Sequence, residues 1–231
     1  MKKTKLMLAS LAVLGAGFLA TSSNVQAAEQ SNTGFAHKDG KVYYVENGQP
    51  SKGWKEINVG SEDKKEGTYK VWIYLSQTGE VQTGWVQDNG SWYYLKELEG
   101  EYKGYAFMQK GFFEVNKTVY YFDESGAMKE NQWFQTTEGW FYADKSGSVK
   151  VYEWFQVGDK WYYASRNGTI LTNVKGTYQD EDYYFKASGE MATNEWVEVN
   201  GNWYYAGKSG AILKNTTTPD GYYVNENGIA L

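Results

Sequence analysis

The chain has no cysteine, 2 prolines in 231 residues and a single histidine, His37. Without cysteine there is no disulfide framework, no thiolate metal ligand and no cysteine nucleophile. One histidine leaves little for a zinc site or a Ser-His triad. Ile, Leu and Val are sparse beyond the N-terminus, although hydrophobic residues make up 41% of the chain. A chain of this length ordinarily buries an aliphatic core, and this one has poor means to build it. What it has instead is aromatic: 21 Tyr, 10 Trp and 10 Phe, together 18% of the residues, alongside 26 glycines. Disordered chains are poor in aromatics. The composition therefore points to a Tyr- and Trp-rich β protein, non-catalytic, with no metal and no cofactor expected.

Lys2, Lys3 and Lys5 precede an apolar run at 6–20, and Val25-Gln26-Ala27 follows it. The run is too short to span a bilayer, and the small-residue pattern after it suits signal-peptide cleavage. Residues 1–27 are expected to be an export signal. Their removal takes away three lysines and no acid, moving the net charge from −5 to −8. That balance argues against nucleic acid and against attraction to an anionic lipid surface. The chain ends Asn227-Gly228-Ile229-Ala230-Leu231, with neither an apolar tail nor a Leu-Pro-x-Thr-Gly sorting signal. Attachment to a cell is thus expected to be by binding, with no membrane span and no covalent link.

After a short segment at 28–34, residues 35–231 are self-similar. A three-residue aromatic block recurs as Val42-Tyr43-Tyr44, Trp72-Ile73-Tyr74, Trp92-Tyr93-Tyr94, Val119-Tyr120-Tyr121 and Trp140-Phe141-Tyr142. It continues as Trp161-Tyr162-Tyr163, Asp182-Tyr183-Tyr184, Trp203-Tyr204-Tyr205 and Gly221-Tyr222-Tyr223. From Val119 to Trp203 the spacing is 21 residues each time, and a glycine follows each block: Gly126, Gly147, Gly168, Gly189 and Gly210. Two of the roughly nine repeats carry insertions, around 60–68 and 96–105. Each unit reads as a hairpin, opened by a strand such as Trp85-Val86-Gln87 and turned by pairs such as Asn89-Gly90 or Asn200-Gly201, which suit primed turns. The block is the return strand. A lone hairpin is marginal in water, so stability must come from stacking on neighbours. The fold class expected is all-β, a solenoid of stacked β-hairpins with a core built largely from Tyr, Trp and Phe.

The ten tryptophans fall into five pairs. Trp85/Trp92, Trp133/Trp140, Trp154/Trp161 and Trp196/Trp203 are seven apart, and Trp54/Trp72 is the same pair stretched by an insertion. Such spacing sets two indoles on one face of a short hairpin. Alternation along the strand sends the first tyrosine of the next block back towards the preceding hairpin. Three aromatic walls around a small volume suit a quaternary ammonium, which has no N–H to donate and is drawn to ring quadrupoles. Two repeats lose the pair, carrying Phe112/Val119 and Lys175/Asp182. A core that needed the pair for stacking should not tolerate Lys and Asp there.

Gly-Trp-Val-Gln-Asp-Asn-Gly-Ser-Trp-Tyr-Tyr-Leu at 84–95 and Glu-Ser-Gly-Ala-Met at 124–128 resemble the choline-binding repeat of streptococcal, pneumococcal-type surface proteins. The likeness covers essentially the whole chain after the signal and implies a repeat-only member. It implies hairpins stacked in a left-handed superhelix, with the choline of phosphocholine-decorated teichoic or lipoteichoic acid held between consecutive hairpins. It assigns one cage to Trp54, Trp72 and Tyr93 with Val81, and a second to Trp85, Trp92 and Tyr120 with Met108. The third is Trp133, Trp140 and Tyr162 near Val149, and the fourth is Trp154, Trp161 and Tyr183. The last is Trp196, Trp203 and Tyr222 near Ile212. The two repeats without the pair are spacers, and Tyr94, Tyr163 and Tyr205 serve stacking.

The resemblance thus implies a secreted protein held non-covalently at the bacterial wall. Tryptophan also stacks on sugar faces, so a glucan-binding module is the alternative. Many relatives carry a catalytic module beside the repeats, and this chain has no room for one outside them. A further role as adhesin or modulator of wall hydrolases would bring a host or wall-hydrolase partner, with the two inserted segments as natural contact points.

Overall fold

Paired left-handed residues turn several of the hairpins. Asn89 and Gly90 sit at φ 48° and 81°, and Asn200 and Gly201 at 51° and 79°. These are the primed turns whose twist matches that of the strands they join. The structure is a computed structural model that describes residues 33–60 and 68–231. The export signal at 1–27 and most of the first insertion lie outside the described residues.

The chain divides into two compact units, one running to Phe113 with Phe122–Met128 added, the other made of Glu114–Tyr121 and Lys129–Leu231. In the first, Gly34–Lys38, Lys41–Glu46 and Gln49–Pro50 form a three-stranded antiparallel sheet. Gly53–Gly60 pairs with Thr68–Leu75, and Gly84–Asp88, Ser91–Glu97 and Ala106–Met108 form a second three-stranded sheet. The residues of the next hairpin, Gly111–Val115 with Thr118–Phe122, are shared between the units. In the second unit the antiparallel hairpins follow in order. They are Gln132–Thr136 with Gly139–Ala143, Glu153–Val157 with Lys160–Ala164, Val174–Tyr178 with Glu181–Phe185, Glu195–Val199 with Asn202–Ala206, and Thr216–Thr217 with Tyr223–Val224.

Stacking in the second unit is stitched by one recurring hydrogen bond. The segment after each block reaches back to the block before it: Val149 N–H donates to Val119, Ile170 to Trp140, Met191 to Trp161, Ile212 to Asp182 and Ala230 to Trp203, at 2.7–2.9 Å. The same segment also pairs with its own block, as in Ala143 with Val149 and Ala164 with Ile170. A polar side chain holds its turn. Asp144 accepts from the Ser146 and Ser148 N–H groups, Asp123 from Ser125 and Ala127, and Asn225 from Asn227 and Ile229.

The core takes up phenylalanines and several tyrosines as expected, but not the tryptophans. No tryptophan is buried. The residue just after each aromatic block is: Leu75, Leu95, Phe122, Ala143, Ala164, Phe185, Ala206 and Val224 are essentially inaccessible. Against them lie Val81, Met128, Val149, Ile170, Met191 and Ile212 from the segments after the turns, all buried. These paired residues form a core strip, and Ile73, Phe134, Phe141, Phe155 and Val197 within the strands are buried beside it. Tyr163, Tyr204 and Tyr205 are buried with them, while the Trp rings stay partly exposed.

Glycine is required where turns close over this strip. Gly210 has φ 87°, and a Cβ there would lie 2.3 Å from the Sδ and Cε of Met191 in the preceding repeat. The second insertion also has a packing role. It contains a turn of 3-10 helix at Gly100–Tyr102. Tyr105 behind it is buried, stacks edge-on to Phe35 at 4.8 Å, and its hydroxyl meets His37 Nε2 at 2.9 Å. Part of this segment is thus spent on bracing the first hairpin.

Candidate functional site

Register decides which rings can meet. In the Gln132–Thr136 hairpin Trp133 faces Tyr142, and Trp140 faces Gln135. Trp154, Trp196 and Trp85 face Tyr163, Tyr205 and Tyr94 in the same way. The two indoles of a pair are therefore diagonal neighbours on one face, two positions out of direct opposition. The stretched pair keeps this relation: Trp54 faces Tyr74 and Trp72 faces Glu56. Its insertion lengthens the far end of the hairpin and leaves the pair in register.

In four of the five pairs the first tryptophan is a partly buried wedge between two tyrosines. Trp54 meets Tyr74 of its own hairpin at 4.8 Å and Tyr93 of the next at 4.7 Å. Trp133 meets Tyr142 at 4.9 Å and Tyr162 at 4.7 Å, and Trp154 meets Tyr163 at 5.1 Å and Tyr183 at 5.0 Å. Trp196 meets Tyr205 at 5.2 Å and Tyr222 at 5.8 Å, nearly perpendicular to the latter. In these four pairs the second tryptophan stands more open, with Trp161 43% and Trp203 50% exposed. An edge-to-face corner with a free indole beside it on the same face leaves ring surface for a small cation.

The residues expected to form the second cage are less completely brought together. Trp85 and Trp92 lie 6.3 Å apart and perpendicular, and Met108 is half-buried beside Leu95, its strand partner. Tyr120 belongs to the other unit. Val81, Val149 and Ile212 are buried in the core strip. Tyr94, Tyr163 and Tyr205, assigned to stacking, are the partners that hold the first tryptophans upright.

Two carboxylates at this site were not singled out in the sequence. Asp88, in the Asp88-Asn89-Gly90 turn, accepts the Trp54 indole N–H at 3.2 Å and the Tyr74 hydroxyl at 3.3 Å. Asp220 accepts the Trp196 indole N–H at 2.8 Å. Hydrogen bonds from the Thr218 hydroxyl first and Trp196 second hold the Asp220 carboxyl below its ordinary range. Burial, with smaller contributions from the charges of Glu190 and Asp159, pushes the Tyr162 phenol up. The signal for the carboxylates was an Asp three residues past the opening position of the next hairpin, and it is indistinguishable from a turn former.

A profile described as a choline-binding repeat matches residues 196–229, and one described as a cell wall binding repeat matches 83–97, 110–128, 131–149 and 153–170. Among solved structures, the chain is 30% identical to CbpJ from Streptococcus pneumoniae, over 83% of this chain and 76% of that one, with a TM-score of 0.43. It belongs to the choline-binding repeat proteins. The choline-binding domain of CbpL from Streptococcus pneumoniae shares 26% identity and a TM-score of 0.51, over 78% of this chain and 87% of that one. Choline binding protein F from Streptococcus pneumoniae shares 24% identity over 87% of this chain and 99% of that one, with a TM-score of 0.49. None of the curated protein sequences compared with the chain matches it. Within this choline-binding repeat chain, the stretch between the matches at 153–170 and 196–229 contains Lys175 and Asp182.

Proposed function

We propose that the protein binds the choline of phosphocholine-bearing teichoic and lipoteichoic acids and is held non-covalently at the bacterial wall by several weak cages. The observation that carries this is the repeated corner of a first tryptophan and the next repeat's tyrosine, with a second indole open beside it. It occurs with Trp54, Trp133, Trp154 and Trp196. Indole and phenol faces attract a cation that can donate no hydrogen bond, each desolvated contact contributing about 2 kcal/mol. After binding costs, a single site near millimolar, about −4 kcal/mol, follows. Several such sites on one polymer gain by effective concentration.

Titration calorimetry of residues 28–231 with choline tests this. Four or five equivalents should bind, falling one at a time as Trp85, Trp133, Trp154 and Trp196 are changed to Ala. No heat, together with uptake of glucan, would replace choline by a glycan. The reading is of a binder, without catalysis. Partner contact through the second insertion rests on its exposed residues Glu99, Glu101 and Lys103, since Tyr105 is engaged by the first hairpin.

A further inference from the structure

The repeat built on Val174–Tyr178 and Glu181–Phe185 lacks both indoles, yet it keeps the hairpin, the register and the stitch from Ile212 to Asp182. Lys175 faces Tyr184 as Trp133 faces Tyr142, so it stands at the first tryptophan's position. Asp182 faces Thr177 as Trp140 faces Gln135, so it stands at the second. Tyr204 is the first block tyrosine of the next repeat, the position of Tyr162 and Tyr183. The Lys175 ammonium lies 5.1 Å from the centroid of the Tyr204 ring, within cation–π reach.

We infer that this junction is a cage of the same plan in which the chain supplies its own cation, Lys175, in place of choline. The inference rests on reading the other junctions as cation cages. The two substitutions make sense only together. A primary ammonium carries N–H groups that a quaternary one lacks, and these need an acceptor that an indole face does not provide. Asp182 is that acceptor, 3.5 Å from Lys175 Nζ. Its carboxylate is held in place by the Thr177 hydroxyl at 2.6 Å and by Lys214 at 3.0 Å, and its side chain is only 14% exposed. The Tyr204 ring under Lys175 is covered too, 8% exposed. Two lysines around one carboxylate leave the junction with net positive charge, which repels a further cation.

The consequence is a division of labour along the second unit. The junctions at Trp133, Trp154 and Trp196 bind an external cation, and the one between the last two of these holds an internal cation at all times. It remains closed whether or not choline is present, and it contributes no equivalent to binding.

Two measurements decide this. In the ligand-free protein, the ε-methylene protons of Lys175, identified by their loss in Lys175→Met, should lie upfield of ordinary lysine positions because of the Tyr204 ring current. Ordinary positions would overturn the inference. In choline titration, Lys175→Trp/Asp182→Trp should bind one equivalent more than the unaltered protein. An unchanged stoichiometry in a variant that still melts cooperatively would also overturn it. If neither protein took up choline, the cage reading elsewhere would fail, while the Lys175 resonance would still decide whether an internal cation sits on Tyr204.

Discussion

The indole N–H of Trp196 donates across one junction to the carboxylate of Asp220, and Trp54 does the same to Asp88 across another. In both, a hairpin turn of one repeat orients the wedge tryptophan of the repeat before it. At the Asp220 junction the folded carboxyl titrates below its ordinary value, through the Thr218 hydroxyl first and Trp196 second. A depressed carboxyl contributes its stabilisation above the unfolded pKa and loses it as pH falls through the folded one. The Trp196 emission should therefore be constant from neutral pH down to the ordinary carboxylate range and shift only below it. Asp220→Asn should remove that acid step while leaving the number of choline equivalents at pH 7 unchanged, as read by fluorescence titration and calorimetry.

Trp133 and Trp140 should separate binding from stability. Trp140 is exposed, so Trp140→Ala should change unfolding free energy by no more than about 0.5 kcal/mol and cost one choline equivalent. Trp133 is wedged between Tyr142 and Tyr162. Its replacement by Ala should lose the same equivalent and cost about 2 kcal/mol or more in denaturant unfolding.

Gly210→Ala meets two penalties, a left-handed backbone and the thioether of Met191 at 2.3 Å. A loss of about 2 to 3 kcal/mol is expected. Adding Met191→Ala should relieve the overlap and leave the backbone part, so the double variant should lose less than the sum of the singles in a mutant cycle.

Ala164 is fully buried opposite Ile170. Ala164→Leu should overfill the core strip and cost about 1 to 3 kcal/mol, seen as a lower melting temperature. The same change at Ala36, which is not buried, serves as the control and should leave melting nearly unaltered.

Much of this architecture is legible in the sequence because its punctuation is local. Asn-Gly pairs and the glycine after each block are required by positive φ, and a 21-residue spacing cannot slip without losing them. The stretched Trp54/Trp72 pair was also readable, since a tip insertion leaves the base of a hairpin in register. The core was not. Ala143, Ala164 and Ala206 look like fillers beside Tyr and Trp, and only the backward reach of the next segment makes them the driest positions. Asn131, Asn173, Asn194 and Asn215 were also missed. They are left-handed residues that absorb one extra residue in the 21-residue repeats, where Gly84 serves directly before Trp85. An isolated Asn carries no period-2 signal. The carboxylates of Asp88 and Asp220 escaped because their partners lie 34 and 24 residues away in sequence.

Each segment after a turn bonds both to its own block and to the block before it, and each junction repeats the same contacts whatever lies further off. A duplicated unit would therefore arrive with its own hairpin, its own stitch and, where both indoles are present, its own cage. A deleted one would leave its neighbours able to join. Copy number in such a chain can change by recombination within the gene in whole, foldable steps. On the proposed function, the grip on a polymer would then be a matter of inherited dosage, adjustable without remaking any single site.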